Sequence, residues 1–185
     1  MFVGGIASKG QLRMSFLRWA VVTVPLIVLL GFLSGRSVPV GSESAWYQAL
    51  AKPALTPPGW AFPVAWTTLY ILIGLALAMI LNARGAAMRG TAIALFVAQF
   101  ALNLAWTPVF FGLHKIGLSV MIIVAMLALS IAATVVFARI RKAAAWLMVP
   151  YMVWISFAGM LAYGIGALNP DAETLAAPSH TSQML

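Results

Sequence analysis

The chain has 185 residues, 63% of them hydrophobic and only 8% charged, with a formal net charge of +8. Soluble domains carry roughly a quarter charged residues and have no interior able to hide this apolar fraction, so the side chains must face lipid. Nucleic acid is excluded as the reason for the positive charge, because Lys and Arg sit in the breaks between apolar runs and not along a periodic polar face.

Five runs reach the roughly 20 apolar residues that a helix needs to cross a bilayer: Phe16–Leu33, Trp60–Leu81, Thr91–Phe111, Gly117–Ala138 and Ala144–Leu168. None contains an acidic residue, which hydrocarbon would penalise. None alternates as a barrel strand would. The sequence therefore predicts an all-α integral membrane protein, a five-transmembrane-helix bundle forming one domain over residues 16–169. Residues 1–15 read as an N-terminal extension, 34–59 as a long loop, and 170–185 as a disordered tail. The first run has the basic start of a signal peptide (Lys9, Arg13, Arg18), but no small-x-small cleavage site follows it, so it is read as a retained span.

Basic residues set the expected orientation. With five spans, Lys9, Arg13, Arg18, Arg84, Arg89, Arg139, Arg141 and Lys142 share one side, with no acid among them. Arg36, Lys52 and Lys115 lie on the other, with Glu43, Asp171 and Glu173. The N-terminus is expected in the cytoplasm, and loop 34–59 and the C-terminus on the opposite side. This pattern suits an inner membrane.

In the third run Gln99, Asn103, Trp106 and Phe110 fall on one helical stripe. Amides within a bilayer need partners, so this stripe should face helices or a cavity. Ala94, Ala98, Ala101 and Ala105 form a second stripe, read either as a dimer seam or as packing within the bundle. The second run offers Phe62, Trp66 and Tyr70 at steps of four, and the fifth offers Trp154, Ala158, Ala162 and Gly166. Pro25 and Pro150 lie inside their runs, where a kink would splay the bundle. Trp19 and Trp146, beside basic residues, read as interface anchors. Gly31-x-x-x-Gly35 has the helix-dimer spacing but lies at a helix exit.

Familiar catalytic groupings are missing. The two histidines, His114 and His180, and the three scattered acids give no metal constellation. The chain has no cysteine, hence no disulfide, thiol nucleophile or thiolate site. Neither a phosphate-cradling glycine loop nor a nucleophile with its base can be assembled.

Trp46-Tyr47-x-x-Leu50-x-Lys52-Pro53 followed by Pro57-Pro58-x-Trp60-x-Phe62-Pro63-x-x-Trp66-Thr67-x-Leu69-Tyr70 resembles the signature of the TspO/MBR family, the tryptophan-rich sensory and translocator proteins. Asn103-x-x-Trp106-x-Pro108-x-Phe110-Phe111 and Pro150-Tyr151-x-x-Trp154-x-x-Phe157-Ala158 continue the match over residues 16–169. The resemblance implies a five-helix bundle, often dimeric (here through the third helix if the alanine stripe is the seam), in a bacterial membrane with the outer one as the alternative, and a pocket beneath the first loop that binds porphyrins and related flat ligands. Carried over by residue, the pocket comprises Phe62, Trp66, Tyr70, Asn103, Trp106, Trp154 and Ala158. Trp46, Tyr47, Pro57, Pro58 and Trp60 would form its lid.

Porphyrin is the expected ligand, no cofactor is required, no metal is expected, and nucleic acid is not a partner. Lys52 or Arg36 would meet the porphyrin carboxylates, and Asn103 is placed to bond a carbonyl or ring nitrogen. Alternatives are a light-dependent porphyrin-degrading enzyme acting through Trp66 and Trp154, and a sterol- or lipid-binding regulator. Two departures from the family pattern stand out. Leu161 is followed by Ala162 where Asn is common, and no Lys or Arg closes a sterol motif after Tyr163.

Overall fold

A computed structural model describes residues 9–174. Helix α1 spans Lys9–Gly35, and a single 3-10 turn at Gly41–Glu43 leads into the short α2, Ala45–Ala49. Four long helices follow: α3 (Ala61–Asn82), α4 (Arg89–Thr107, prolonged by a π-helical turn at Pro108–Gly112), α5 (Ile116–Ile140) and α6 (Lys142–Leu168). Five of these are long and apolar enough to span a membrane, and no strand occurs among the described residues.

Around the bundle the neighbour order is α1, α3, α6, α5, α4, with a thinner contact closing α4 back on α1. Hydrophobicity drives each helix into the bilayer but not against its neighbour, so association depends on close approach and hydrogen bonds. Glycines supply the approach. The Gly31 backbone lies so near the Tyr70 ring that any side chain at 31 would collide with it, and a Cβ at Gly74 would stand 3.0 Å from the Val24 backbone. Added Cβ atoms at Gly159 and Gly166 would meet Ile123 and Ile116 at 2.9 and 3.1 Å, which sets the α5–α6 seam. Thr23 bonds across the first seam, with Oγ1 2.9 Å from the Gly74 carbonyl. Ser34 Oγ donates to the Leu104 carbonyl at 2.7 Å and ties α1 to α4.

Two expectations about the flanks change. Helix α1 already includes Lys9, inside the expected extension, because no proline interrupts Lys9–Phe16 and Gly10 is confined to the outermost turn described. Residues 170–174, expected to be disordered, form turns anchored to the bundle: Glu173 Oε1 accepts from the Gly117 N–H at 2.8 Å and its carboxylate pairs with Lys115 at 3.6 Å. The remainder of that tail, 175–185, lies outside the described residues. Gly31, the first glycine of the Gly31-x-x-x-Gly35 spacing, packs inside the chain against the Tyr70 ring.

Charge separates along the bundle. Arg18, Arg84, Arg139, Arg141 and Lys142 are exposed at one end, while Glu43 and Glu173 lie at the end of the 34–59 loop. Arg89 turns inward at the basic end, its Nη2 donating to the terminal α3 carbonyl of Leu81 at 3.0 Å.

Candidate functional site

The amide stripe of α4 faces inward: Gln99, Asn103 and Phe110 are buried and Trp106 is half-buried. At the bundle centre a relay links three helices. Tyr70 Oη donates to Asn103 Oδ1 (2.9 Å), Asn103 Nδ2 donates to Tyr151 Oη (3.2 Å), and Tyr151 Oη donates to Gln99 Oε1 (2.8 Å). Ser130 of α5 also approaches Gln99 Oε1 at 3.3 Å, but its single proton is nearer the Met126 carbonyl at 2.7 Å. In a low-dielectric interior such a chain fixes the helices relative to one another, since breaking any link strands a polar group.

Asn103 therefore engages both ends of its amide with tyrosines, and the second Nδ2 proton takes no part in the relay. Further uncommitted donors lie nearby. Gln99 Nε2, Trp106 Nε1 and Trp154 Nε1 are buried and find no hydrogen-bond partner among the described residues. Each such group costs about 1–3 kcal/mol.

The aromatic residues form two groups. In the first, Trp66 tilts against Tyr70 (5.4 Å between ring centroids) and meets Tyr151 and Trp154 edge-on, both at 6.4 Å. Phe62 stands edge-on to Trp154 at 6.0 Å, and Phe157 follows at 5.8 Å. The steps of four on α3 put Phe62, Trp66 and Tyr70 on one face opposite α6. Phe62, Trp66, Trp154 and Ala158 are all half-buried, so this wall between α3 and α6 is partly open at its outer edge.

The second group lies at the loop end. Trp106 stacks on Phe110 at 4.9 Å and meets Phe111 edge-on at 6.1 Å. The π-helical turn sets this register: Leu113 N–H bonds the Pro108 carbonyl five residues back, at 2.9 Å. Tyr47 packs on Phe111 at 5.3 Å, and Trp46 stacks on His114 at 4.4 Å and meets Phe110 at 5.5 Å. Trp106 thus joins the loop group and not the α3–α6 wall.

Loop 34–59 is latched. Ser44 caps α2 by accepting from the Tyr47 N–H at 3.2 Å. Trp46 is buried, and its Nε1 donates to the Ala172 carbonyl at 2.9 Å. Asn169 clamps Ala51, accepting from its N–H at 2.9 Å and donating to its carbonyl at 2.8 Å. Lys52 Nζ lies 4.8 Å from the Tyr47 ring centroid and 3.1 Å from the Leu50 carbonyl. Burial pushes the Tyr47 phenol above its ordinary pKa. Pro57 is half-buried and Pro58 exposed, while Trp60 is 70% exposed at the start of α3. Trp60 therefore stands apart from both aromatic groups. Arg36 also points elsewhere, its guanidinium 5.6 Å from the Phe32 ring centroid.

Tyr151 and Gln99 matter more than the pocket expectation allowed. Tyr151 is fully buried and is the hub of the relay. Its signal was present, a tyrosine three residues before Trp154 and so on the same face of α6. Ala162 and Gly166, by contrast, belong to packing: Ala162 is buried and Gly166 faces Ile116. Among the described residues no group of three His, Cys, Asp or Glu lies close enough to hold a metal ion.

The TspO/MBR family profile matches residues 22–168. The chain is 39% identical to Protein CrtK of Rhodobacter capsulatus over 146 residues, 77% of this chain and 89% of the relative. It is 37% identical to the tryptophan-rich sensory protein of Cereibacter sphaeroides, over 69% of this chain and 81% of that one. Similarity extends to animals, with 33% identity to the Bos taurus translocator protein over 75% and 83% of the two chains. With five spanning helices of this order and relatives matched along most of their length, the chain belongs to the TspO/MBR family of integral membrane proteins.

Proposed function

We propose that this protein is a membrane receptor or transport protein that binds porphyrins and related flat tetrapyrroles against the α3–α6 aromatic wall, beneath the latched loop. One observation carries the reading: Phe62, Trp66 and Trp154 gather at a half-buried edge where the Trp154 indole N–H is left without a partner. A porphyrin offers a wide apolar face for the rings and acceptors for such a donor. Each well-placed ring pair adds about 0.5–1.5 kcal/mol beyond burial. The sensory and translocator names of the relatives agree with a receptor or transport role.

Because the rings touch one another, entry requires them to part, and the outer edge between α3 and α6 is where they can. Carboxylates would remain near the loop end, where Lys52 lies. Protoporphyrin titrations followed by porphyrin absorption test this. Trp66→Ala and Trp154→Ala should each weaken binding by at least about two- to tenfold, the range one lost ring pair implies, while Trp146→Phe, exposed at the far end, leaves it unchanged. Equal affinity in all four proteins would refute the proposed wall.

A homodimer is proposed as well. Ala94, Ala98 and Ala101 are exposed on α4 and Ala105 is half-buried, which supports reading the stripe as a seam for a second copy. Small side chains there allow a second copy to approach closely.

A further inference from the structure

At the end of the bundle opposite the aromatic groups lies a cavity of about 280 Å³ lined by Ser15, Arg18, Trp19, Val22 and Arg84. We propose that it is a binding site for the phosphate headgroup of an anionic phospholipid. The size fits such a group, lying just below the roughly 300–1,000 Å³ usual for sites that take drug-sized molecules. Its polar rim is cationic, with a guanidinium from α1 and another from the α3–α4 connection.

Among the described residues no carboxylate competes for these guanidiniums. The chain's acids are Glu43, Asp171 and Glu173, and Glu43 and Glu173 stand at the loop end. Arginine presents a planar fork that matches phosphate oxygens. Ser15 Oγ is held by donating to Asn82 Oδ1 at 2.6 Å, so its lone pairs are left to accept and the arginines must supply the contact to phosphate.

What points to a lipid and not to free phosphate is the continuation of the site. Val22 is 57% exposed at its lower edge, and Leu26, Leu29 and Leu33 follow on the same side of α1, exposed at 49%, 53% and 54%. Their spacing of four, three and four residues makes one stripe running from the cavity along the helix. An acyl chain attached to a phosphate in the cavity would lie on that stripe, with half-buried Trp19 at the headgroup level. Basic pockets between membrane helices are a recurrent way of holding anionic lipids. Arg139 and Arg141 are exposed at the same end but line no part of this cavity.

The full chain in nanodiscs of phosphatidylcholine with a minor fraction of phosphatidylglycerol provides the test, with retained lipids counted by native mass spectrometry. Wild type should retain phosphatidylglycerol selectively. Arg18→Ala with Arg84→Ala should lower that affinity by roughly 25-fold, about fivefold for each arginine, while Arg139→Ala with Arg141→Ala changes it by less than about threefold. Val22→Trp, which fills the acyl end and keeps both arginines, should also lose the lipid, and it decides the matter should the double arginine variant not fold. Equal losses in the two arginine pairs would reduce the effect to general surface charge. Inorganic phosphate protecting the protein from unfolding as well as phosphatidylglycerol does would make the occupant a free anion. Either result overturns the proposal.

Discussion

Tyr151 has one hydroxyl for two tasks, accepting from Asn103 and donating to Gln99. Tyr151→Phe keeps the ring but strands an amide N–H and an amide oxygen together. Tyr70→Phe strands only Asn103 Oδ1. Buried unmet groups cost about 1–3 kcal/mol each in water-soluble proteins, and hydrogen bonds between membrane helices average nearer 0.6. Tyr151→Phe is therefore expected to destabilise by about 1–2 kcal/mol in reversible unfolding from mixed micelles, and Tyr70→Phe by about half that. Equal effects would mean that the relay does not act as a chain. Gly31→Ala provides a steric counterpart: its new methyl collides with the Tyr70 ring, whereas Gly35→Ala meets nothing within 4 Å among the described residues. Overpacking of this kind costs typically about 1–3 kcal/mol, so Gly31→Ala should unfold earlier than Gly35→Ala in the same assay.

The spans of the helices followed from length and hydropathy, because lipid obliges every backbone group to bond within its own segment. The inward face of α4 followed for a similar reason, since Gln99 and Asn103 have no other place to satisfy their amides. Small residues were ambiguous: Ala162 and Gly166 share the Trp154 stripe, yet Ala162 is buried in the packing and Gly166 serves the seam with α5. The loop latch left no pattern at all. Ala51 and Asn169 are 118 positions apart, Trp46 and Ala172 126, and a single polar contact has no periodicity to read. That latch makes a prediction of its own. Asn169→Ala removes both bonds to Ala51, and hydrogen exchange across residues 45–53 should quicken while α3 and α6 stay protected. Unchanged exchange would show that Trp46 alone holds the loop.

Taken as a whole, the molecule is polarised: a latched, aromatic-rich end carrying Glu43 and Glu173, a basic end with a headgroup-sized cavity, and an alanine face left outside. If that face joins two copies, Ala98→Trp should convert the dimer to a monomer in light-scattering measurements in detergent without altering helix content. A dimer that survives the substitution would place the seam elsewhere. The central claim concerns the other side of the bundle, where rings from α3 and α6 are proposed to receive a flat ligand. Photolabelling with a diazirine-bearing protoporphyrin, read by mass spectrometry, reports on it most directly. The account predicts adducts within Phe62–Tyr70 and Tyr151–Ala158, competed away by unmodified protoporphyrin; adducts confined to the exposed alanine face of α4, or none that protoporphyrin displaces, would contradict it.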